Sequence, residues 1–359
     1  MPRGRTVLVT GGAGFIGSAA VRALLARGDR VVTLDALTYA GHRETLGDAL
    51  HHPAHRFVHG DVGDATVVAR LLAEHGPDAV LHCAAETHVD RSIADAAPFV
   101  RTNAAGTATL VGAVQAWWRT CDDATRAAFR LVVVSTDEVF GALDPDDPPF
   151  DAASPVAPRS PYAASKAAGD LLALAAWHTH GLPVVVTHCG NNYGPYQFPE
   201  KLVPVTIERA LREEPVAVYG TGANVRDWIH VDDHVAGLLR ALDAGVPGAR
   251  YLFGHEPRAN VDVVHALLDA VDAVAPRGDG SRRRGLVTFV ADRPGHDFRY
   301  AIDWRATGAA LGWAPSRTLA AALPEVVRWY VANDAWRRTV LARAGYAAER
   351  LGAPALAGR

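Results

Sequence analysis

Methionine is absent after Met1, and of 36 basic side chains only Lys166 and Lys201 are lysine. Arginine serves wherever a positive charge alone is needed, so the two lysines are candidates for positions that need a compact ammonium. Cysteine is scarce too. Cys83, Cys121 and Cys189 are odd in number and match no metal or redox spacing, which argues against a disulfide framework. They read as small buried hydrophobes of a cytosolic protein. No apolar run reaches the length of a membrane span. A strand and a glycine loop begin within a few residues of Met1, where a signal peptide would stand, so a cytoplasmic protein is expected. An excess of one charge is also missing: the net charge is −3, which gives no broad electrostatic basis for binding nucleic acid or an anionic membrane. The one basic run, Arg282-Arg283-Arg284, reads as a solvated turn. The run His51, His52, His55 has no carboxylate or thiol at ligand spacing, so it reads as a loop, and no metal is expected.

What is present is a long chain of 359 residues, 49% hydrophobic, enough for one large domain or two modest ones. Short β-branched runs at Thr6–Thr10, Arg30–Asp35, Arg56–Asp61, Ala79–Ala84, Arg130–Ser135 and Pro183–His188 predict strands. Between most of them, Ile16–Arg27, Ala65–His75, Phe99–Trp118 and Tyr162–His180 have helical spacing. Such alternation implies an α/β fold with a Rossmann-type, doubly wound parallel sheet. After Gly190 glycine, proline and aromatic residues scatter between shorter helical pieces, which predicts a smaller C-terminal mixed α/β lobe over the cleft. The expected division is 1–190 for a dinucleotide-binding domain and 191–359 for a substrate lobe, with strands and helices free to cross between them.

Three patterns carry chemistry. The first is the glycine loop of Gly11, Gly12, Gly14 and Gly17, set between a predicted strand and a predicted helix. Its backbone can approach a pyrophosphate, which then sits on the helix N-terminus. Asp35 follows Gly17 by eighteen residues, near the spacing of about 20 for a carboxylate on the ribose hydroxyls. A carboxylate there repels a 2′-phosphate, so NAD is favoured over NADP. The second pattern is Tyr162 and Lys166, four residues apart on one helix face, with Ser160 as cap and Pro161 in the first turn. An ammonium beside a phenol lowers its pKa and suits it to act as a base. The third is "VVVSTDEVFG", Val132–Gly141, an apolar strand that ends in the adjacent acids Asp137 and Glu138.

Together these motifs resemble the extended short-chain dehydrogenase/reductases. More narrowly, "STDEVFG", "AAETHVDRSI", "NNYGPYQFPEKL", "NVRDWIHVDDH" and "DRPGHDFRYAID" resemble the dTDP-glucose 4,6-dehydratases, from the N-terminus to about Trp304. The resemblance implies NAD as cofactor and oxidation of the sugar at C4, then loss of water across C5 and C6, then return of hydride to C6. By the same resemblance Tyr162, with Lys166, takes the C4 hydroxyl proton and Thr136 bonds the C4 oxygen. Glu138 removes the C5 proton and Asp137 protonates the departing hydroxyl. Simple epimerases of the superfamily have no need of the acid pair.

The family's cofactor positions fall on Gly11, Gly14, Phe15, Ile16, Gly17, Asp35, Leu37, Thr38, Asp61, Val62, Ala84, Ala85, Thr102, Tyr162, Lys166 and Asn192. Its substrate positions fall on Thr87, Thr136, Asn191, Lys201, Leu202, Val218, Tyr219, Arg226, Asn260, Asp292, Arg293 and His296. Arg226 suits the diphosphate, as a fork that binds oxyanions bidentately. The chain departs from the pattern at "HCGNNYGP", where His188 and Gly190 replace arginine and serine, and at Thr87, where serine is common. Beyond Trp304 only amphipathic pieces such as Leu323–Tyr330 are found. A homodimer is implied, joined through Ala105–Trp118 and the outer face of the Tyr162 helix. The same chemistry on another nucleotide sugar, and a catalytically silent NAD-binding regulator, remain as alternatives.

Overall fold

Along the first strands, neighbouring apolar side chains serve opposite cores. In the computed structural model, which describes residues 4–292 and 295–344, Val7 and Val9 join one hydrophobic cluster and Leu8 the other. The same alternation holds for Val132 and Val134 against Leu131 and Val133. Side chains alternate across a strand, so a sheet covered on both faces needs continuous apolar runs.

The strands are β1 (Thr6–Thr10), β2 (Arg30–Asp35), β3 (His55–His59), β4 (Ala79–His82), β5 (Arg130–Thr136), β6 (Val184–Cys189), β7 (Asn191–Tyr193), β8 (Val216–Tyr219), β9 (Val225–His230), β10 (Arg250–Phe253), β11 (Glu256–Ala259) and β12 (Val287–Val290). Seven of them form the large sheet in the order β10-β6-β5-β4-β1-β2-β3, all parallel. Helices Ala65–His75, Thr107–Trp118 and Pro161–His180 cover one face. Helices Phe15–Ala26 and Val231–Ala244 cover the other through Ala20, Leu24, Val235 and Leu238. The strand order reverses between β1 and β4, so a crevice opens beyond their carboxyl ends, where such sheets bind ligands.

The second half of the chain builds a sheet β11-β9-β7 and a pair β12-β8 over that crevice. Its core includes Ile207, Leu267, Val327 and Tyr330. Residues after 190 also return to the large sheet, since β10 extends its edge beside β6. Among the described residues no helix is long and apolar enough to cross a membrane.

Several elements differ from the sequence reading. The predicted helix Phe99–Trp118 is a short turn at Ala97–Phe99, a π-helical Val100–Gly106 and an α-helix Thr107–Trp118. The wide turn lets Asn103 reach inward to the Glu86 backbone, with which it exchanges two hydrogen bonds of 2.9 Å. The histidine run is not all loop: His51 ends a 3₁₀ helix and His55 opens β3, bonding Thr33 Oγ1 at 2.9 Å. Arg283 is not a solvated turn residue. It is buried because its donors are satisfied by Asp272 Oδ1 at 2.9 Å, Ala210 O at 2.9 Å and Ala275 O at 2.7 Å. Cys189 is buried as expected, whereas Cys83 and Cys121 are half-buried.

One carboxylate ties the C-terminal segment to the sheet side. Asp233 is buried and accepts from Ser316 N at 2.9 Å, Ser316 Oγ at 2.7 Å and Arg317 N at 2.8 Å. Asp233→Ala strands those donors and is expected to cost about 2–4 kcal/mol. The check is a lower urea midpoint with an unchanged slope.

Candidate active site

The glycine loop leaves β1 through Gly11, whose φ is +70° and whose amide donates to Leu34 O at 2.8 Å. A Cβ on Gly17 would stand 2.1 Å from Gly11 O, so only glycine lets the helix pack this closely on the loop. Gly14 caps the helix Phe15–Ala26 and no side chain fills the cap. Its first-turn N–H groups are thereby left to an anionic ligand. Asp35, at the end of β2, is buried and held by Ala13 N and Leu37 N, each at 2.8 Å. Burial raises its pKa and those two bonds oppose the rise.

A cavity of about 340 Å³ runs from this loop to the end of β6. Gly11, Gly14, Phe15, Ile16, Gly17, Asp35, Thr38, Asp61, Val62, Ala84, Ala85, Thr102, Tyr162, Lys166 and Asn192 all line it. Leu37 does not; with φ +52° it contributes its amide to Asp35. An uncapped helix end, a fixed acid at the end of β2 and a cleft that continues to Tyr162 fit a dinucleotide.

At the end of β5, Thr136 caps the turn Asp137–Phe140, accepting from Glu138 N at 3.3 Å and donating to Asp137 Oδ1 at 3.3 Å. Asp137 is 2% exposed, and its Oδ2 has no hydrogen-bond partner. Burial first, then the charges of Glu138 and Asp227, push its pKa well above the carboxylate range, against the pull of Arg226. Glu138 is half-buried and lines both this cavity and the next. Asp227 is pinned by His255 N at 2.6 Å and Ile302 N at 2.9 Å, and burial lifts its pKa to about 6.

Ser160 Oγ accepts from Ala163 N at 3.1 Å, and Pro161 opens the helix that carries Tyr162 and Lys166. The Tyr162 phenol does not follow the expected downward shift. Burial and then Glu138 push its pKa up, while the Lys166 ammonium donates to Val134 O at 2.8 Å. Burial lowers the Lys166 pKa and the Asp170 charge opposes that.

A second cavity of about 230 Å³ meets the first at Glu138, Asn191, Glu200, Lys201, Leu202 and Trp228. Val218, Tyr219, Arg226, Asn260 and His296 line it as well. The Arg226 guanidinium lies 4.4 Å from the Tyr300 ring centroid and donates to Asp297 O at 2.9 Å. Thr87 lines the first cavity and its carbonyl accepts from Lys201 Nζ at 2.7 Å. Asp292 is exposed, lines neither cavity and bonds His296 Nδ1 at 2.6 Å. Arg293 lies outside the described residues.

Sequence reasoning missed Glu200 and Tyr39. Glu200 lines both cavities, accepts from Tyr39 Oη at 3.1 Å and is 3.7 Å from Lys201 Nζ. Its signal was an acid beside one of two lysines. The two departures separate in space. Gly190 lines the first cavity, and a Cβ there would meet Asp227 O at 2.5 Å, so glycine is what lets β7 lie this close to β9. His188 lies outside both linings, beside Asp170.

Comparison with known proteins agrees with this geometry. The family model described as GDP-mannose 4,6 dehydratase matches residues 8–326. The chain is 49% identical to the dTDP-glucose 4,6-dehydratase of Xanthomonas campestris pv. campestris (strain B100), over 97% of this chain and 99% of the relative. It is 46% identical to dTDP-glucose 4,6-dehydratase 1 of Escherichia coli (strain K12), over 92% and 94%. Among solved structures, DesIV, the dTDP-glucose 4,6-dehydratase of Streptomyces venezuelae with NAD bound, superimposes with a TM-score of 0.85 at 44% identity, over 93% of this chain and 99% of that one.

The raised pKa of Asp137 has a consequence for stability. Its carboxyl holds its proton to higher pH in the fold than in the unfolded chain, which releases it near 3.8, so folding takes up a proton as pH rises above that value. The resulting penalty is absent below that value and grows as pH rises. Asp137→Asn preserves shape without the penalty. The variant should melt at a higher temperature than the parent at mildly alkaline pH, with the gap closing in acid. A gap that is absent or reversed in alkali would show that Asp137 is ionised in the fold.

Proposed function

The chain belongs to the dTDP-glucose 4,6-dehydratases, and we infer that it converts dTDP-glucose into dTDP-4-keto-6-deoxyglucose and water. The observation that carries this reading is the pair Asp137 and Glu138, one acid buried with its pKa pushed upward, the other at the junction of two cavities. Elimination across C5 and C6 needs one acid and one base at adjacent carbons. A 4-epimerase has no use for either.

NAD, held along the first cavity, supplies a hydride acceptor for C4 and a hydride donor for C6. Gly11, Gly14, Phe15, Ile16 and Gly17 bind its diphosphate side, and Asp35 its ribose. Thr38, Asp61, Val62, Ala84, Ala85, Thr102 and Asn192 line the remainder, with Leu37 holding Asp35 in place. Tyr162 takes the proton of the C4 hydroxyl while Thr136 bonds its oxygen, and Lys166, one helical turn on, is anchored to the Val134 carbonyl beside them. The C4 ketone makes C5–H acidic, and Glu138 removes that proton. Asp137 gives its own proton to the C6 hydroxyl, which leaves as water, and C5 then regains a proton from Glu138. Thr87, Asn191, Lys201 and Leu202 hold the sugar, and Arg226 the diphosphate. Val218, Tyr219, Asn260 and His296 enclose the nucleotide, with Asp292 holding the His296 ring.

Residues 1–190 supply the NAD-binding unit and residues 191–359 the sugar-nucleotide lobe, with β10 and the helix before it returning to the first. A cytoplasmic homodimer completes the reading. Supporting the dimer, the adjacent Leu171 and Leu172 on the outer side of the Tyr162 helix are 51% and 44% exposed.

Mass spectrometry of the protein with dTDP-glucose, and separately with UDP, GDP and CDP sugars, tests the substrate. Loss of one water from dTDP-glucose is expected. Loss from another sugar alone would move the substrate and keep the mechanism. Glu138→Gln should still oxidise C4 but slow dehydration by about 10²–10⁴-fold. In deuterated water it should lose exchange at C5, and normal exchange would remove Glu138 from its role.

A further inference from the structure

Behind the catalytic strand end lies a buried polar cluster that the reaction does not use. Asp170 sits four residues after Lys166 on the helix Pro161–His180, so the two share a face, and both are 4% exposed. Asp170 Oδ2 accepts from Ser135 Oγ at 2.6 Å and lies 3.4 Å from His188 Nε2. Its Oδ1 is buried with no hydrogen-bond partner. The His188 ring is packed against Phe140, with centroids 4.7 Å apart. Ser135 stands between Val134, whose carbonyl receives the Lys166 ammonium, and Thr136, which caps the acid pair. Asp170 therefore touches neither cavity, yet it grips the strand end that presents every catalytic group of β5.

We propose that Asp170, aimed by His188, is a positioning residue that acts as the buried counter-ion of Lys166 and fixes the end of β5. An acid so enclosed needs a reason to be there, because a buried charge without compensation is costly. Lys166, one turn away on the same buried helix face, supplies it, and the Asp170 charge in turn sustains the Lys166 ammonium against burial. The other titratable groups that face Lys166 are neutral at ordinary pH. Burial pushes the Cys83 thiol up to about 12 and the Cys189 thiol higher still, and it pushes His82 down to about 3. The role deepens the dehydratase reading and rests on it for its effect on catalysis.

The scarcity of lysine makes the test direct. With lysine labelled by ¹³C at Cε, the chain gives two signals, and Lys201→Arg identifies that of Lys166. In the parent, Lys166 should be charged at neutral pH. In Asp170→Asn, which keeps an oxygen for Ser135, its titration should move down by about one pH unit, a tenfold loss of ammonium above the midpoint. Ser135→Ala, which keeps the charge, should leave the titration in place. An unmoved Lys166 in Asp170→Asn overturns the proposal. If that variant does not fold, a neutral Lys166 amine in the parent at neutral pH overturns it equally. In single-turnover mixing with dTDP-glucose, the alkaline limb of NADH formation should fall by the same unit in Asp170→Asn and stay put in Ser135→Ala. The labelled titration needs no substrate, so it decides the proposal even where the assignment of dTDP-glucose fails.

Discussion

A carboxyl group 2% exposed beside a second acid gives up its proton less readily than it would in water. Asp137 is in that position, and much of the surrounding structure serves to hold it there. Thr136 closes the turn that puts the two acids side by side, Asp227 adds a further negative charge from β9, and Arg226 opposes the resulting rise in the Asp137 pKa. Burial thus divides the work of two chemically similar residues. One holds its proton more tightly than an ordinary carboxyl, while the other faces the junction of the cavities. The same placement stores a stability cost at the site, a common feature of groups held ready for proton transfer.

The sheet explains why this arrangement occurs where it does. Parallel strands end together, so β1, β2, β4, β5 and β6 deliver the glycine loop, Asp35, Cys83, Thr136 with the acids, and Gly190 to one rim. The cofactor cavity follows that rim and the second lobe closes over it. Glu138, Asn191, Glu200, Lys201 and Leu202 are common to both cavities, so the lobe is part of the site rather than an appendage. Tyr39, from the loop after β2, bonds Glu200 from the lobe, which links the two binding regions through one hydrogen bond of 3.1 Å.

Much of this was legible in the sequence because it depends on local pattern. Strand β1, the glycine loop and Asp35 lie within a single βαβ unit, and Tyr162 and Lys166 share a helix whose cap and first turn are written in Ser160-Pro161. Other features depend on contacts between distant segments. The π-helical turn at Val100–Gly106 comes with Gly169, where a Cβ would meet Asn103 O at 2.5 Å, a match between residues far apart in the chain. Strand β10 was missed because four residues at a sheet edge carry little periodicity. Arg283 looked solvated because its partners, Asp272, Ala210 and Ala275, are set by tertiary packing. The upward shift of the Tyr162 phenol was likewise hidden, since spacing along a helix reveals a neighbour but not how deeply the pair is buried.

Infrared difference spectroscopy of the parent against Asp137→Asn at neutral pH tests the division of roles between the two acids most directly. A protonated carboxyl C=O band present in the parent and absent from the variant is the predicted result. A parent spectrum with only ionised carboxylate bands at that pH would mean that Asp137 has no proton to give, and the elimination would need another acid.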